Sequence, residues 1–217
     1  MEQRSRAAVR RGQPVSIPEI ATTALAMIDE DGLDALTMRG LAEAIGVTPM
    51  TLYRYLANKQ MILAEVADLL WRELPAIDPA ITGWKEQIAA MWQQLFDLML
   101  RHPNAVPLIA RGGACSATAS SDTAGMLSVL KDAGFSAELA GQFVHAASAL
   151  VVGFAFAHLW QHQAQVGQAP QPPAGQASAA PDELLEYAGR MGPFTTGEFA
   201  TSLNLIIDGF ARQLPQP

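Results

Sequence analysis

The sequence predicts an all-α protein: an N-terminal three-helix helix-turn-helix domain followed by a larger helical domain. Three observations lead there. Ala and Leu dominate a chain that is 50% hydrophobic, with few alternating runs of β-branched residues. Apolar residues recur at spacings of three and four along most segments. Gly, Pro, Ser, Thr and Asn fall between those segments, where helices start and stop. At 217 residues the chain has room for one large domain or two smaller ones around a sizeable core.

Ser16-Ile17-Pro18-Glu19 has the form of a capping box, in which hydroxyl and carboxylate each satisfy an orphan N–H. A first helix runs from there to about residue 31, with Ile20, Ala24, Met27 and Ile28 inward, and Gly32 ends it. A second helix spans 38–45, with Leu41, Ala42 and Ile45 on one face, and stops at Gly46. Thr48 can cap a third helix, and Pro49 sits at its first position, where a missing N–H costs nothing. Val47, Leu52 and Leu56 turn inward, leaving Met50, Thr51, Tyr53, Arg54 and Tyr55 at the exposed start and side. A short helix presenting polar, aromatic and cationic groups at its N-terminal end suits a major groove. Asn58 caps a fourth helix, 59 to about 74, broken by Pro75 and Pro79.

The rest reads as helices over 82–100, 104–110, 121–133, 137–163, 182–190 and 196–214. Gly134 stops the third of these and Ser136 caps the fourth. Residues 164–181 form a Gln/Ala/Pro/Gly tract without periodicity, expected as a flexible loop. The expected organisation is a basic arm over 1–15, a helix-turn-helix domain over 16–66, and a second, larger helical domain over 67–217.

The formal charge of −7 at first argues against a nucleic-acid partner. Residues 1–60, however, are neutral, and residues 61–217 hold the whole excess of acid. Arg4, Arg6, Arg10 and Arg11 face only Glu2 before residue 15, a cationic arm suited to phosphate or minor-groove contacts. The acidic remainder is repelled by DNA and suits another task. A single cysteine, Cys115, excludes an internal disulfide and fits a reducing cytoplasm. No basic-then-apolar leader opens the chain, so secretion is not expected.

Leu41-Ala42, Gly46-Val47, Thr51-Leu52-Tyr53 and Asn58-Lys59 together resemble the DNA-binding domain of TetR-family transcriptional repressors, over about residues 17 to 65. The resemblance implies that Arg39, Thr48, Pro49, Met50, Thr51, Tyr53, Arg54 and Tyr55 occupy the family's contact positions. By their chemistry, Arg39 and Arg54 can fork onto guanine or grip a phosphate. Pro49 and Met50 read thymine methyls or shape. Tyr53, Tyr55 and Lys59 hold phosphates, which fixes register.

Between Leu139 and Pro181 there is no Asp, Glu, Lys or Arg. The segment 143–160 is about long enough to cross a bilayer, but His145, Ser148, Gly153 and His158 interrupt it and no basic cluster flanks it. A buried core helix that also forms a dimer interface is the favoured reading, and no membrane partner is expected. Ala140, Ala147, Ser148, Val151 and Ala155 would admit another helix closely, with Leu203, Ile206, Ile207 and Phe210 of the last helix as partners. TetR-family proteins dimerise through two such helices from each subunit, and a homodimer reads two half-sites of a palindromic operator.

Beyond that, the C-terminal part resembles the subgroup closest to the tetracycline repressor, most clearly in the ending with Asp208-Gly209-Phe210. The resemblance implies a cavity among the middle helices whose small-molecule effector lowers DNA affinity. Candidate lining residues are Trp92, Phe96, His102, Asn104, Arg111, Met126 and His145; His145 and His158 equally suit satisfied core positions. Pro107 stands where the tetracycline repressor has a magnesium-holding histidine, so tetracycline is not implied. No metal site and no cofactor are expected, since the histidines lack paired carboxylates at ligand spacing. Phosphate-cradling glycine loops and nucleophile motifs are missing, so catalysis is not expected. The alternatives are a dimeric DNA-binding regulator without a pocket, and a small helical enzyme.

Overall fold

A computed structural model describes residues 15–111, 117–165 and 195–214. Most of the expected arm, Cys115, residues 166–181 of the expected loop and the expected helix 182–190 lie outside the described residues. The elements are α1 (Ile17–Asp31), a 3-10 turn (Leu33–Ala35), α2 (Met38–Ile45), α3 (Pro49–Tyr55), α4 (Lys59–Trp71), α5 (Trp84–Arg101), a second 3-10 turn (Pro103–Ala105), α6 (Val106–Arg111), α7 (Ala117–Asp132), α8 (Ala137–Gln165) and α9 (Thr196–Ala211). The fold is all-α, with no strand among the described residues.

Helix ends fall where cap chemistry puts them. Ser16, Thr37, Thr48, Asn58 and Thr195 each accept a backbone N–H in the first turn of α1, α2, α3, α4 and α9. Gly46 closes α2 in the left-handed region, at φ 81°, which a Cβ would strain. Boundaries shift where the last turn tightens or where a distant group supplies the cap. α4 stops at Trp71 because Glu73 and Leu74 bond back to Leu70 and Trp71, one residue closer than an α-helix allows, just before Pro75. α9 ends at Ala211 in the same way. The expected helix 104–110 splits: Pro103 opens a 3-10 turn and α6 follows. α7 begins at Ala117, ahead of the expected residue 121, because Asp68 on α4 accepts the Thr118 N–H at 3.2 Å. α8 runs through Gln165, two residues past the expected end at 163.

One continuous core runs from the head into the larger domain. α1 packs on α2, α4 and the Pro103–Ala105 turn, and α4 also touches α6 and α7. α8 is the centre of the larger domain and packs against α5, α6, α7 and α9. Phe96 stacks on Phe199 with centroids 4.2 Å apart, tying α5 to α9. Phe143 meets Phe135 and Phe210 edge-on. Residues 137–161 have a mean hydropathy of 1.6, and by length and composition alone they could cross a bilayer. Here they are the central helix of a bundle, with an apolar face left outward.

Candidate nucleic-acid interface and ligand cavity

A seven-residue helix such as α3 is too short to hold itself in water. Leu52 and Leu56 anchor it, at 1% and 2% exposed. Burying each contributes about 1.5–3 kcal/mol. Thr48 Oγ1 accepts from the Thr51 N–H at 3.2 Å and lies 2.9 Å from the Thr51 hydroxyl, so the first turn is set before any ligand arrives. What remains outside is Pro49, Met50, Tyr53, Arg54 and Tyr55, with Met50 73% exposed. Arg39 is exposed on α2. A Cβ at Gly40 would lie 3.0 Å from Oγ1 of Thr37, the residue that caps α2, and 3.5 Å from the Met27 side chain on α1. Lys59 does something other than wait for a phosphate, since its Nζ donates to the Leu33 carbonyl at 3.1 Å and fastens α4 to the turn after α1.

A polar junction joins the head to α5. His102 Nδ1 lies 2.9 and 3.1 Å from the two Asp29 carboxylate oxygens, and its Nε2 lies 3.3 Å from Glu73. Asn104 donates to the Asp29 carbonyl at 2.9 Å, and Arg101 pairs with Glu73 at 2.6 Å.

Behind the head lies a cavity of about 460 Å³, within the range for a drug-sized ligand. Its wall draws on five helices: Trp71 from α4, Trp92 and Met99 from α5, Ile109 from α6, Asp122 and Met126 from α7, and Ser148 and Val152 from α8, among others. Burial pushes the Asp122 carboxyl above its ordinary pKa. The Trp71 and Trp92 indole nitrogens are buried with no hydrogen-bond partner among the described residues. An orphan donor of this kind costs about 1–3 kcal/mol.

α8 and α9 pack together, and each keeps exposed apolar residues. His145, Ala149, Gly153, Phe156 and Trp160 lie along α8 at helical spacing, all exposed. On α9, which packs against α8, Leu205 is 70% exposed, and Trp160 on α8 is 63% exposed. Lys85 pairs with Asp208 at 2.7 Å and holds the Asp208 carboxyl below its ordinary pKa.

Two family models match this architecture. One, for bacterial regulatory proteins of the tetR family, covers residues 15–66; the other, for the tetracyclin repressor-like C-terminal domain, covers 78–214. The chain belongs to the TetR family. Its relatives include the Tetracycline repressor protein class E of Escherichia coli, 26% identical over 93% of both chains. The HTH-type transcriptional repressor DrrR1 of Streptomyces coeruleorubidus is 32% identical over 41% of this chain, a stretch spanning only 33% of DrrR1. Among solved structures, a possible TetR family transcriptional regulator from Streptomyces coelicolor A3(2) superposes with a TM-score of 0.76 at 26% identity, over 91% of this chain and all of that one. TetR-family proteins are DNA-binding transcriptional regulators, and the expectation that this chain is not an enzyme holds.

Several expected positions need correction within that TetR frame. Of the expected pocket residues, Trp92 and Met126 line the cavity. Phe96 is fully buried against Phe199, and His102 and Asn104 belong to the junction with α1. His145 points outward, neither in the pocket nor in the core, and His158 is half-buried. The Arg111 side chain lies outside the described residues. Of the expected dimer residues, Ala140, Ala147, Val151, Ala155, Leu203 and Ile207 are buried inside one protomer and have no surface left for another. They lie on α8 and α9, which pack against each other and against α5 of the same chain. Ser148 and Val151 face the cavity, and Ile206 and Phe210 are half-buried, Phe210 against Phe143. Val15, assigned to the arm, is buried in the core. Trp71, Asp122, Val144 and Val152 were missed as cavity residues. Asp122, an acid flanked by small residues in the first half of α7, was the one local signal. Among the described residues, no three His, Cys, Asp or Glu side chains gather as a metal site requires.

Proposed function

We propose that this protein is a transcriptional repressor that grips a near-palindromic operator as a homodimer and is released by a small molecule. The observation that carries the reading is a shared helix. α4 starts beside the reading helix, packs along α1, and ends as a wall of the cavity through Trp71. A molecule that moves Trp71 therefore acts on the element that positions the head. Asp68 on α4, which caps α7, and His102, bonded to Asp29 on α1, give the same motion two further routes to the head. A cavity of this size also disfavours the regulator without a pocket.

One head covers few base pairs, and two related by a two-fold axis roughly add their free energies. The outward α8–α9 face supplies the contact. Phe156, Trp160 and Leu205 are large apolar groups exposed to water in a lone protomer, on two helices that pack against each other, which is typical of an interface. The two relatives above carry repressor names, which supports repression. Footprinting across the chain's own upstream sequence is expected to show a protected inverted repeat. Analytical ultracentrifugation is expected to show a dimer at micromolar concentration. A strict monomer, or no protected inverted site, sinks the proposal.

A further inference from the structure

The described cavity wall is apolar except at Gln94, Asp122, Thr123 and Ser148, and of these only Asp122 can carry a charge. Among the described residues no Lys, Arg or His lines the cavity, and no hydrogen bond or ion pair engages the Asp122 carboxylate. Two indoles, Trp71 and Trp92, line the same wall, and an indole ring attracts cations and repels anions at its face. The surrounding domain, residues 61–217, carries the entire formal charge of −7, so its field draws cations toward the cavity mouth. Three independent features thus share one sign.

We infer that the cavity takes a drug-sized, largely aromatic or apolar molecule bearing one protonated amine, with the amine at Asp122 and the ring system among the apolar side chains. The inference rests on the reading of this cavity as the effector site and names the effector's class. An anion of the same shape would place like charges together in a poorly hydrated wall. A neutral molecule would leave the carboxylate facing it without a partner. Trp92, only 4% exposed and with its indole N–H unpaired, gains a partner from any ligand carbonyl or ether that reaches it.

Three probes of one shape separate these cases: 9-aminoacridine, a cation at neutral pH; acridine, neutral; and acridine-9-carboxylate, an anion. Each is titrated into the full-length protein by isothermal calorimetry. The cation is expected to bind about tenfold or more tighter than the carboxylate. Asp122→Asn is expected to bring the cation-to-neutral affinity ratio down by about tenfold. Ser148→Trp, which fills the cavity, is expected to abolish binding of all three and so ties the heat to this site. Equal affinities, tighter binding of the carboxylate, a ratio unmoved by Asp122→Asn, or no binding of any probe overturns the inference. A gel shift with bound operator keeps the two claims apart. Bound cation that leaves operator affinity unchanged removes the effector reading while the ligand class stands.

Discussion

α3 and α8 divide their surroundings differently. α3 turns one row inward, Leu52 with Leu56 just past its end, and sets Pro49, Met50, Tyr53, Arg54 and Tyr55 toward solvent. α8 has no single back and front. Phe143, Ala147 and Ala155 face the core, Val144, Ser148 and Val152 face the cavity, and His145, Ala149, Gly153, Phe156 and Trp160 face outward. A substitution on α3 changes either anchoring or contact. A substitution on α8 changes packing, ligand binding or assembly, according to its row. The teaching is that a helix apolar all round is divided by its partners, not by its own polarity.

The outward row gives the largest expected effect. Leu205→Glu combined with Trp160→Glu adds charge to the proposed interface and removes two anchors. The expected result is a folded monomer with operator affinity lower by about a hundredfold or more, read by ultracentrifugation and gel shift. Circular dichroism should not change, because both side chains are exposed within the protomer. A dimer that survives both changes would place the interface elsewhere.

The core row should respond in the opposite way. Ala147 is fully buried, so Ala147→Leu forces extra methylenes into a filled space, at a cost of about 1–3 kcal/mol in unfolding free energy. Below its melting temperature the variant should remain as dimeric as the parent. If it instead dissociates without losing stability, the core and outward rows have been assigned the wrong way round.

On the reading head, Arg39→Ala or Tyr53→Ala is expected to weaken operator binding by about 1–3 kcal/mol with stability and dimerisation intact. Both side chains are exposed and neither carries the fold. Unchanged gel-shift affinity in both variants would take these residues out of the interface and leave α3 as surface only.

The same contrast explains what could be read in advance. The head is punctuated by residues with one good use each: Gly46 for a left-handed stop, Thr48 and Asn58 for caps, Pro49 for a first turn. Polar and glycine positions declare both the element and the side that faces out. α8 was legible as an element, from the Ser136 cap to its length, but not by face. Ala140 and Ala147 look like places where a second subunit's helix approaches, but both are buried within the protomer, on a helix that packs against four others of the same chain. The cavity was less legible still. Trp92 and Phe96 sit on one apolar stripe of α5, and periodicity cannot say that the first meets a void and the second a ring. His102 and Asn104 looked like pocket polar groups because their partners, Asp29 and Glu73, are distant in sequence.

The smallest expected effect tests whether Asp122 truly lacks a cationic partner. Its carboxyl has a pKa raised by burial, so the folded state disfavours the ionised form. Stability from that group is present below the ordinary carboxylate value of 3.8 and is lost as pH rises through the raised folded value. Asp122→Asn cannot ionise and escapes the loss. Thermal unfolding should therefore show the variant slightly more stable than the parent at neutral pH, with the gap closing as pH falls below 3.8. The effect is small because the carboxyl keeps part of its water. The reverse sign, a parent stabilised at neutral pH by its carboxylate, would mean that a cation of the chain itself already faces Asp122. That outcome would also remove the vacancy an amine-bearing ligand is proposed to fill, so this measurement is a cheap first check before any ligand is titrated.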